Sequence, residues 1–251
     1  NAAFKNLHIA ASGNYNLFTT TNATYDPTLH VEDCTVDAAY NVVYDSHNTQ
    51  NFKSVYFGNS IVKMTVANKP FYSTKAKDAH TQQLIRLDNN VFYAETPLQN
   101  YLINCGDRSQ AFQTTRLQVE VTNNTIYNIY QPNIMIRAYV LAGLTVTKNV
   151  GYYTGVTAKN YLTGVYDTAG FTADKAEVTY NYLYTAPVSD TNFWSAKHTG
   201  SYTPANNQMG DGVEAPFSSM DAAKGYFPVD ASVVKTGAGA TYDTKAWFKA
   251  E

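Results

Sequence analysis

The sequence predicts an all-β protein: a right-handed parallel β-helix, or solenoid, with an irregular tail capping its C-terminal end. Three observations carry this expectation. An apolar–any–apolar triplet recurs from Leu7 to Val178. A small or amide side chain follows each triplet at a fixed offset. Helical periodicity is weak throughout.

The triplet is a period-two strand with one face turned inward. It reads Leu7-His8-Ile9, Leu29-His30-Val31, Val55-Tyr56-Phe57, Ile85-Arg86-Leu87, Val119-Glu120-Val121, Leu144-Thr145-Val146 and Ala176-Glu177-Val178. Its second apolar residues, Ile9, Val31, Phe57, Leu87, Val121, Val146 and Val178, follow at steps of 22, 26, 30, 34, 25 and 32 residues. A constant local motif at variable spacing is what a solenoid shows when strands are fixed and loops on one face take insertions. One coil cannot bury its apolar face alone. Stacked coils turn those residues into continuous columns inside a parallel sheet.

Three residues after each of these positions stands Ser12, Cys34, Ser60, Asn90, Asn124, Asn149 or Asn181. This position falls at the corner after the strand, where Asn tolerates a left-handed backbone and bonds nearby backbone groups. Ser60, Asn90, Asn124, Asn149 and Asn181 are therefore expected to stack as a structural ladder of linked side chains, with no catalytic role. A second strand is expected in most coils, at 16–18, 41–44, 70–72, 101–103, 134–136, 162–166 and 192–194, forming a second parallel sheet.

The coils occupy residues 1–187. The tail, 188–251, belongs to the same domain and is rich in Gly, Pro, Ser and Asn, with scattered aromatics including Tyr202, Phe217, Tyr226, Phe227, Trp247 and Phe248. It is expected to fold back along or over the last coils, capping the stack and burying its aromatics. A short helix is expected at 218–224 with Ser218 or Ser219 as its cap.

Composition narrows the function. Apolar residues make up 44% and charged residues only 15%, so polarity comes from Asn, Thr and 21 Tyr. The net charge of -2, without a basic run, gives no footprint for a nucleic-acid partner. No apolar run is long enough to cross a bilayer as a helix, so no transmembrane segment is expected. Cys34 and Cys105 fall two coils apart, about 9.6 Å at ~4.8 Å per step, too far for a disulfide. Both are expected as free, buried thiols.

The five histidines show no metal-ligand spacing, and no EF-hand, nucleophile-elbow or phosphate-loop motif occurs. Asp45 and His47 share a face after the 41–44 strand, which a solvated turn explains as well. The remaining signal is aromatic. Tyr rings stack on sugar faces while their hydroxyls stay wet. Tyr44, Tyr72 and Tyr101 sit at comparable places in three consecutive coils, Tyr56 and Arg86 lie on the first strand's outer face, and Arg137 faces outward from the other sheet. These six are the candidate glycan-binding residues. Packing under loops or the tail is the structural alternative for the tyrosines.

The ending Gly225-Tyr226-Phe227-Pro228-Val229-Asp230, followed by Thr236-Gly237-Ala238-Gly239 and Lys245-Ala246-Trp247, together with the repeat, resembles pectin-lyase-like β-helix proteins of gut Bacteroidetes. The resemblance implies a secreted or cell-surface, outer-membrane-associated protein linked to glycan uptake, with a lipid anchor on a segment before Asn1. β-Helix enzymes of this kind act on acidic polysaccharides, and a pectate-type lyase holds Ca²⁺ on several carboxylates beside a basic residue. Calcium needs six to eight oxygens. No such cluster is legible here, and the Asn-Thr-Asp, Asp-Asp and Gly-His-Gly motifs of polygalacturonase-like hydrolases do not occur. No catalytic residue and no metal ligand is assigned. The expectation is a monomeric, extracellular, non-catalytic carbohydrate-binding or adhesion protein whose partner is a polysaccharide or glycan. The alternatives are a polysaccharide lyase acting on acidic glycans, with Ca²⁺ as cofactor in that case only, and a structural spacer or assembly module.

Overall fold

The computed structural model describes residues 1–10, 13–20, 27–38, 40–45, 52–74, 83–105, 117–131, 134–138, 142–153, 161–165, 176–185, 192–194, 204–210 and 214–242. Three parallel sheets wind around one shaft, and each coil gives one strand to each sheet. The first sheet takes β1 (Ala2–Lys5), β4 (Thr28–Glu32), β7 (Ser54–Gly58), β10 (Gln83–Asp88), β13 (Leu117–Thr122), β16 (Gly143–Thr147) and β19 (Ala176–Thr179). The second takes β2 (His8–Ala10), β5 (Thr35–Ala38), β8 (Ile61–Met64), β11 (Val91–Gln99), β14 (Thr125–Tyr130), β17 (Val150–Tyr153), β20 (Tyr182–Thr185) and β22 (Gln208–Met209). The third takes β3 (Phe18–Thr20), β6 (Val43–Asp45), β9 (Tyr72–Thr74), β12 (Ile103–Cys105), β15 (Ile134–Ala138), β18 (Tyr161–Val165) and β21 (Asn192–Trp194). The sequence showed two of these sheets. The second sheet was hidden because its strands follow the first after a corner of only two residues, so both read as one motif.

Inward residues stack in register. Phe4, Val31, Phe57, Leu87, Val121, Val146 and Val178 form one column of the first sheet. Val31 through Val178 in that column are fully buried. Phenylalanines interlock across the shaft: Phe57 meets Phe71 and Phe71 meets Phe92, each pair at 4.8 Å between ring centroids and edge to face. That is the geometry favoured by the ring quadrupole. Burial of such rings, about 1.5–3 kcal/mol each, supplies the main driving force for stacking. Cys34 and Cys105 are both buried, and no disulfide joins them.

The first coil is offset from its expected register. Phe4, not Ile9, pairs with Val31, and Ile9 pairs with Val36 in the second sheet. The first step is therefore 31 − 4 = 27 residues, not 22. Leu7 holds the ladder position, behind Asn6 with its left-handed φ of 55°, so the amide at that corner stands one residue before the ladder; Ser12 lies outside the described residues.

From Ser60 onward the ladder is continuous and buried. Asn90, Asn124 and Asn149 each donate their backbone N–H to the Oδ1 of the next asparagine, at 2.9, 3.0 and 2.9 Å. Their Nδ2 groups donate to the same Oδ1 atoms at 3.0–3.1 Å and to the carbonyls of Phe57, Leu87 and Val121. Ser60 N donates to Asn90 Oδ1, and Asn181 N donates to Asn207 Oδ1, a rung not foreseen. The left-handed backbone lies one residue earlier than expected. Asp33, Asn59, Asn89, Asn123, Lys148 and Tyr180 have φ between 48° and 57°, while the ladder residues do not. The left-handed residue turns the chain, and the amide behind it is thereby aimed into the shaft.

No helix forms at 218–224. Asp221 bridges Tyr226 instead, and its Oδ1 accepts from Ala223 N and Lys224 N, closing a turn. In the tail, β22 adds a strand beyond β20. The stretch 214–242 runs back along the outside of the second sheet, where Phe217, Phe227, Val234, Ala238 and Ala240 form a second apolar cluster with that sheet's outward residues. Tyr202, Trp247 and Phe248 lie outside the described residues. No helix among the described residues is long and apolar enough to cross a membrane.

Candidate functional site: two exposed aromatic–guanidinium faces

The outer face of the third sheet carries the column Thr19, Tyr44, Ser73, Asn104, Arg137 and Gly164, one residue per coil. Arg137 Nε and Nη2 donate to Asn104 Oδ1 at 2.9 and 2.6 Å, and its guanidinium lies 4.6 Å from the centre of the Tyr101 ring. Asn100, fully buried, donates from Nδ2 to the carbonyls of Val66 and Lys69 and accepts from Tyr101 N. It fixes the backbone beneath the Tyr101 ring. Tyr44, Ser73, Asn104, Arg137 and Tyr101 all remain partly exposed.

Tyr72 is a correction. It pairs with Val43 and Ile103 on the inward side and is fully buried, so Tyr44, Tyr72 and Tyr101 form no outward row. Its hydroxyl accepts from Gln83 Nε2 at 2.7 Å, which lets a phenol sit in the core. Tyr101 stands ahead of its strand β12, three residues before the column that holds Tyr44.

The first sheet carries the other candidates. His30, Tyr56, Arg86 and Glu120 occupy one outward column in successive coils. The His30 and Tyr56 rings lie 4.5 Å apart, the Arg86 guanidinium lies 5.9 Å from the Tyr56 ring centre, and Arg86 Nε is 3.6 Å from Glu120 Oε2. The next column reads Lys5, Glu32, Gly58, Asp88 and Thr122. Tyr56 lies along its own strand with its hydroxyl over Gly58, where any Cβ would collide with it. Burial, then the Asp88 and Glu32 carboxylates, push this phenol's pKa above its ordinary value. Lys5 Nζ reaches Glu32 at 3.0 Å and Asp33 at 3.3 Å, and this hydrogen bonding holds Glu32 below the usual carboxylate range.

A row of tyrosines at coil spacing does exist, on the sheet the sequence concealed. Tyr93, Tyr127, Tyr152 and Tyr184 align outward on the second sheet. Tyr127–Tyr152 and Tyr152–Tyr184 stack at 5.7 and 4.8 Å. The tail covers them: Phe227 stacks on Tyr127 at 4.1 Å, and Phe217 meets Tyr152 edge-on at 5.5 Å.

Among the described residues, no three His, Cys, Asp or Glu side chains converge to hold a metal ion. Asp88 is held by Thr122 and Asn123, Glu120 by Arg86 and Gln118, and Glu32 by Lys5, so these carboxylates do not assemble calcium's oxygen shell. The Asp45 side chain and His47 lie outside what the structure describes.

Three parallel sheets, apolar columns and a buried amide ladder define the chain as a parallel β-solenoid. No protein-family model, no curated protein and no solved structure matches it.

Proposed function

We propose that this protein is a non-catalytic, extracellular carbohydrate-binding or adhesion protein, secreted or held at the cell surface, and that it meets its glycan on the outer face of the third sheet. The observation that supports this reading is the Arg137 guanidinium, packed on Tyr101 and tied to Asn104 in one column with Ser73 and Tyr44. A sugar presents an apolar C–H face and a rim of hydroxyls. An amphipathic ring answers the first, and fixed planar donors and amides answer the second. Coils repeat at ~4.8 Å, close to the length of one pyranose unit, so the column offers contacts at sugar spacing. The resemblance of the ending to surface β-helix proteins linked to glycan uptake points the same way.

The test is calorimetric titration against a panel of plant and host polysaccharides. Tyr101→Ala and Arg137→Ala should each weaken binding about tenfold or more, the loss of a stacking or charge-assisted contact. Absence of heat with every polysaccharide would sink the reading. A lyase acting on acidic glycans is the second reading, because Arg86 with Glu120, and Lys5 with Glu32 and Asp33, place cations and carboxylates side by side on the first sheet. Unsaturated-product absorbance on pectins and glycosaminoglycans, with and without Ca²⁺, decides it.

A further inference from the structure

We propose that the protein is bivalent, with a second glycan-contact face on the first sheet built from His30, Tyr56 and Arg86. This inference rests on the carbohydrate-binding reading of the third sheet. The two faces belong to different sheets of the solenoid, and each has its own aromatic–guanidinium pair. A glycan segment lying on one sheet does not reach the other without rounding a corner.

The first-sheet face is built, not incidental. A strand's side chains stand off the sheet, and Tyr56 instead lies along it because Gly58 leaves the space empty. The ring is held there by His30 on one side and Arg86 on the other, at 4.5 and 5.9 Å. Arg86 is held in turn by Glu120. His30 and Arg86 keep about half of their side chains exposed, at 50% and 49%. The result spans three successive coils as a low shelf of planar groups.

Charge sets the class of sugar. Glu32, Asp33, Asp88 and Glu120 surround this shelf, against Lys5 and Arg86 as fixed cations. With carboxylates outnumbering cations, such a surface favours uncharged sugar units over uronates, which sets this reading apart from the lyase one. On the third sheet the outward column from Thr19 to Gly164 carries Arg137 as its one charged residue. The two faces therefore share a neutral glycan and differ toward an acidic one.

Two faces on one rigid body raise the apparent affinity for a long chain that reaches both, and let one protein bridge two chains. The experiment is calorimetry of the full chain with a neutral mixed-linkage β-glucan oligosaccharide, alongside light scattering with the intact polysaccharide. The expected result is two sites per protein and cross-linking of the polymer. Tyr56→Ala with Arg86→Ala should leave one site and abolish cross-linking, and Tyr101→Ala should likewise leave one. Gly58→Ala, which forces the Tyr56 ring off its shelf without removing any group, should act like the first pair. A single site in the wild type, removed by Tyr101→Ala and untouched by the first-sheet changes, overturns bivalency and leaves the third-sheet reading standing. No heat in the wild type overturns both.

Discussion

Tyr56 owes its position to Gly58: the phenol crosses its own strand at the one residue of the column that has no side chain. Gly58 has no positive φ, so the requirement is space, not backbone conformation. Gly58→Ala is thus expected to change stability by less than about 1 kcal/mol, since the ring can swing into solvent. It should nonetheless separate the His30 and Tyr56 rings. Proton NMR would show loss of the ring-current shift on His30. A large fall in stability with the rings still stacked would contradict this account.

The ladder predicts a steep positional effect. Asn124→Ala would leave the carbonyl of Leu87 and the N–H of Asn90 buried without their partner. At about 1–3 kcal/mol for each orphaned group, the loss should reach several kcal/mol in denaturant unfolding. Asn123→Gly, one residue earlier, should cost only about 1 kcal/mol, because φ of 55° suits glycine and the one side-chain bond lost is the 3.2 Å contact to Asp88, which Thr122 still holds. Similar costs at both positions would mean that the ladder does not carry the corner.

Phe227 is the centre of the tail's grip. It is fully buried, stacks on Tyr127 and packs against Phe217 and Tyr93. Phe227→Ala should cost about 3–5 kcal/mol, as for other buried rings, and uncover the tyrosine row. Stronger binding of a hydrophobic dye and a lower melting temperature are the expected signs. An unchanged melting curve would show that the tail lies on the second sheet without stabilising it.

The Lys5–Glu32–Asp33 group predicts acid sensitivity at the first coil. Glu32 titrates below its ordinary value of 4.5 when folded, mainly because Lys5 donates to it. Its contribution is therefore present above that value and is lost as pH falls through the lower, folded pKa. Lys5 titrates above its ordinary 10.5, so its contribution is present below 10.5 and fades as pH rises through the folded value. Melting of Lys5→Met against wild type, from neutral pH down to about pH 3, should show a deficit that shrinks in acid. A deficit constant with pH would rule out the pairing as its cause.

What the sequence made legible was whatever repeats locally. Val31, Phe57, Leu87, Val121, Val146 and Val178 stand in one column as the triplet foretold, and Asn90, Asn124, Asn149 and Asn181 stack behind them. Orientation off the repeat was not legible. Tyr72 looks like Tyr44 in sequence, yet it stands at the register position of Val43, one residue before that of Tyr44, and its ring is turned inward. The signal that accommodates it is Gln83, eleven residues away and on another sheet. Tyr127, Tyr152 and Tyr184 were likewise unreadable as a row, because their strands were merged with the preceding sheet. Asn104 and Ser73 carried no aromatic or charged mark, and only the register joins them to Arg137.

The corner between the first and second sheets always holds two residues, as between Glu32 and Thr35 or Asp88 and Val91. The passage from the third sheet back to the first is unequal, from four residues between Ala138 and Gly143 to eleven between Cys105 and Leu117. The passage from the second sheet to the third varies as well, from three residues between Gln99 and Ile103 to seven between Met64 and Tyr72, so chain length is absorbed at these two passages and never at the short corner. Foreign segments grafted at either variable passage should leave the remaining architecture unaltered, whereas a single residue inserted at the short corner would break the amide ladder at that rung.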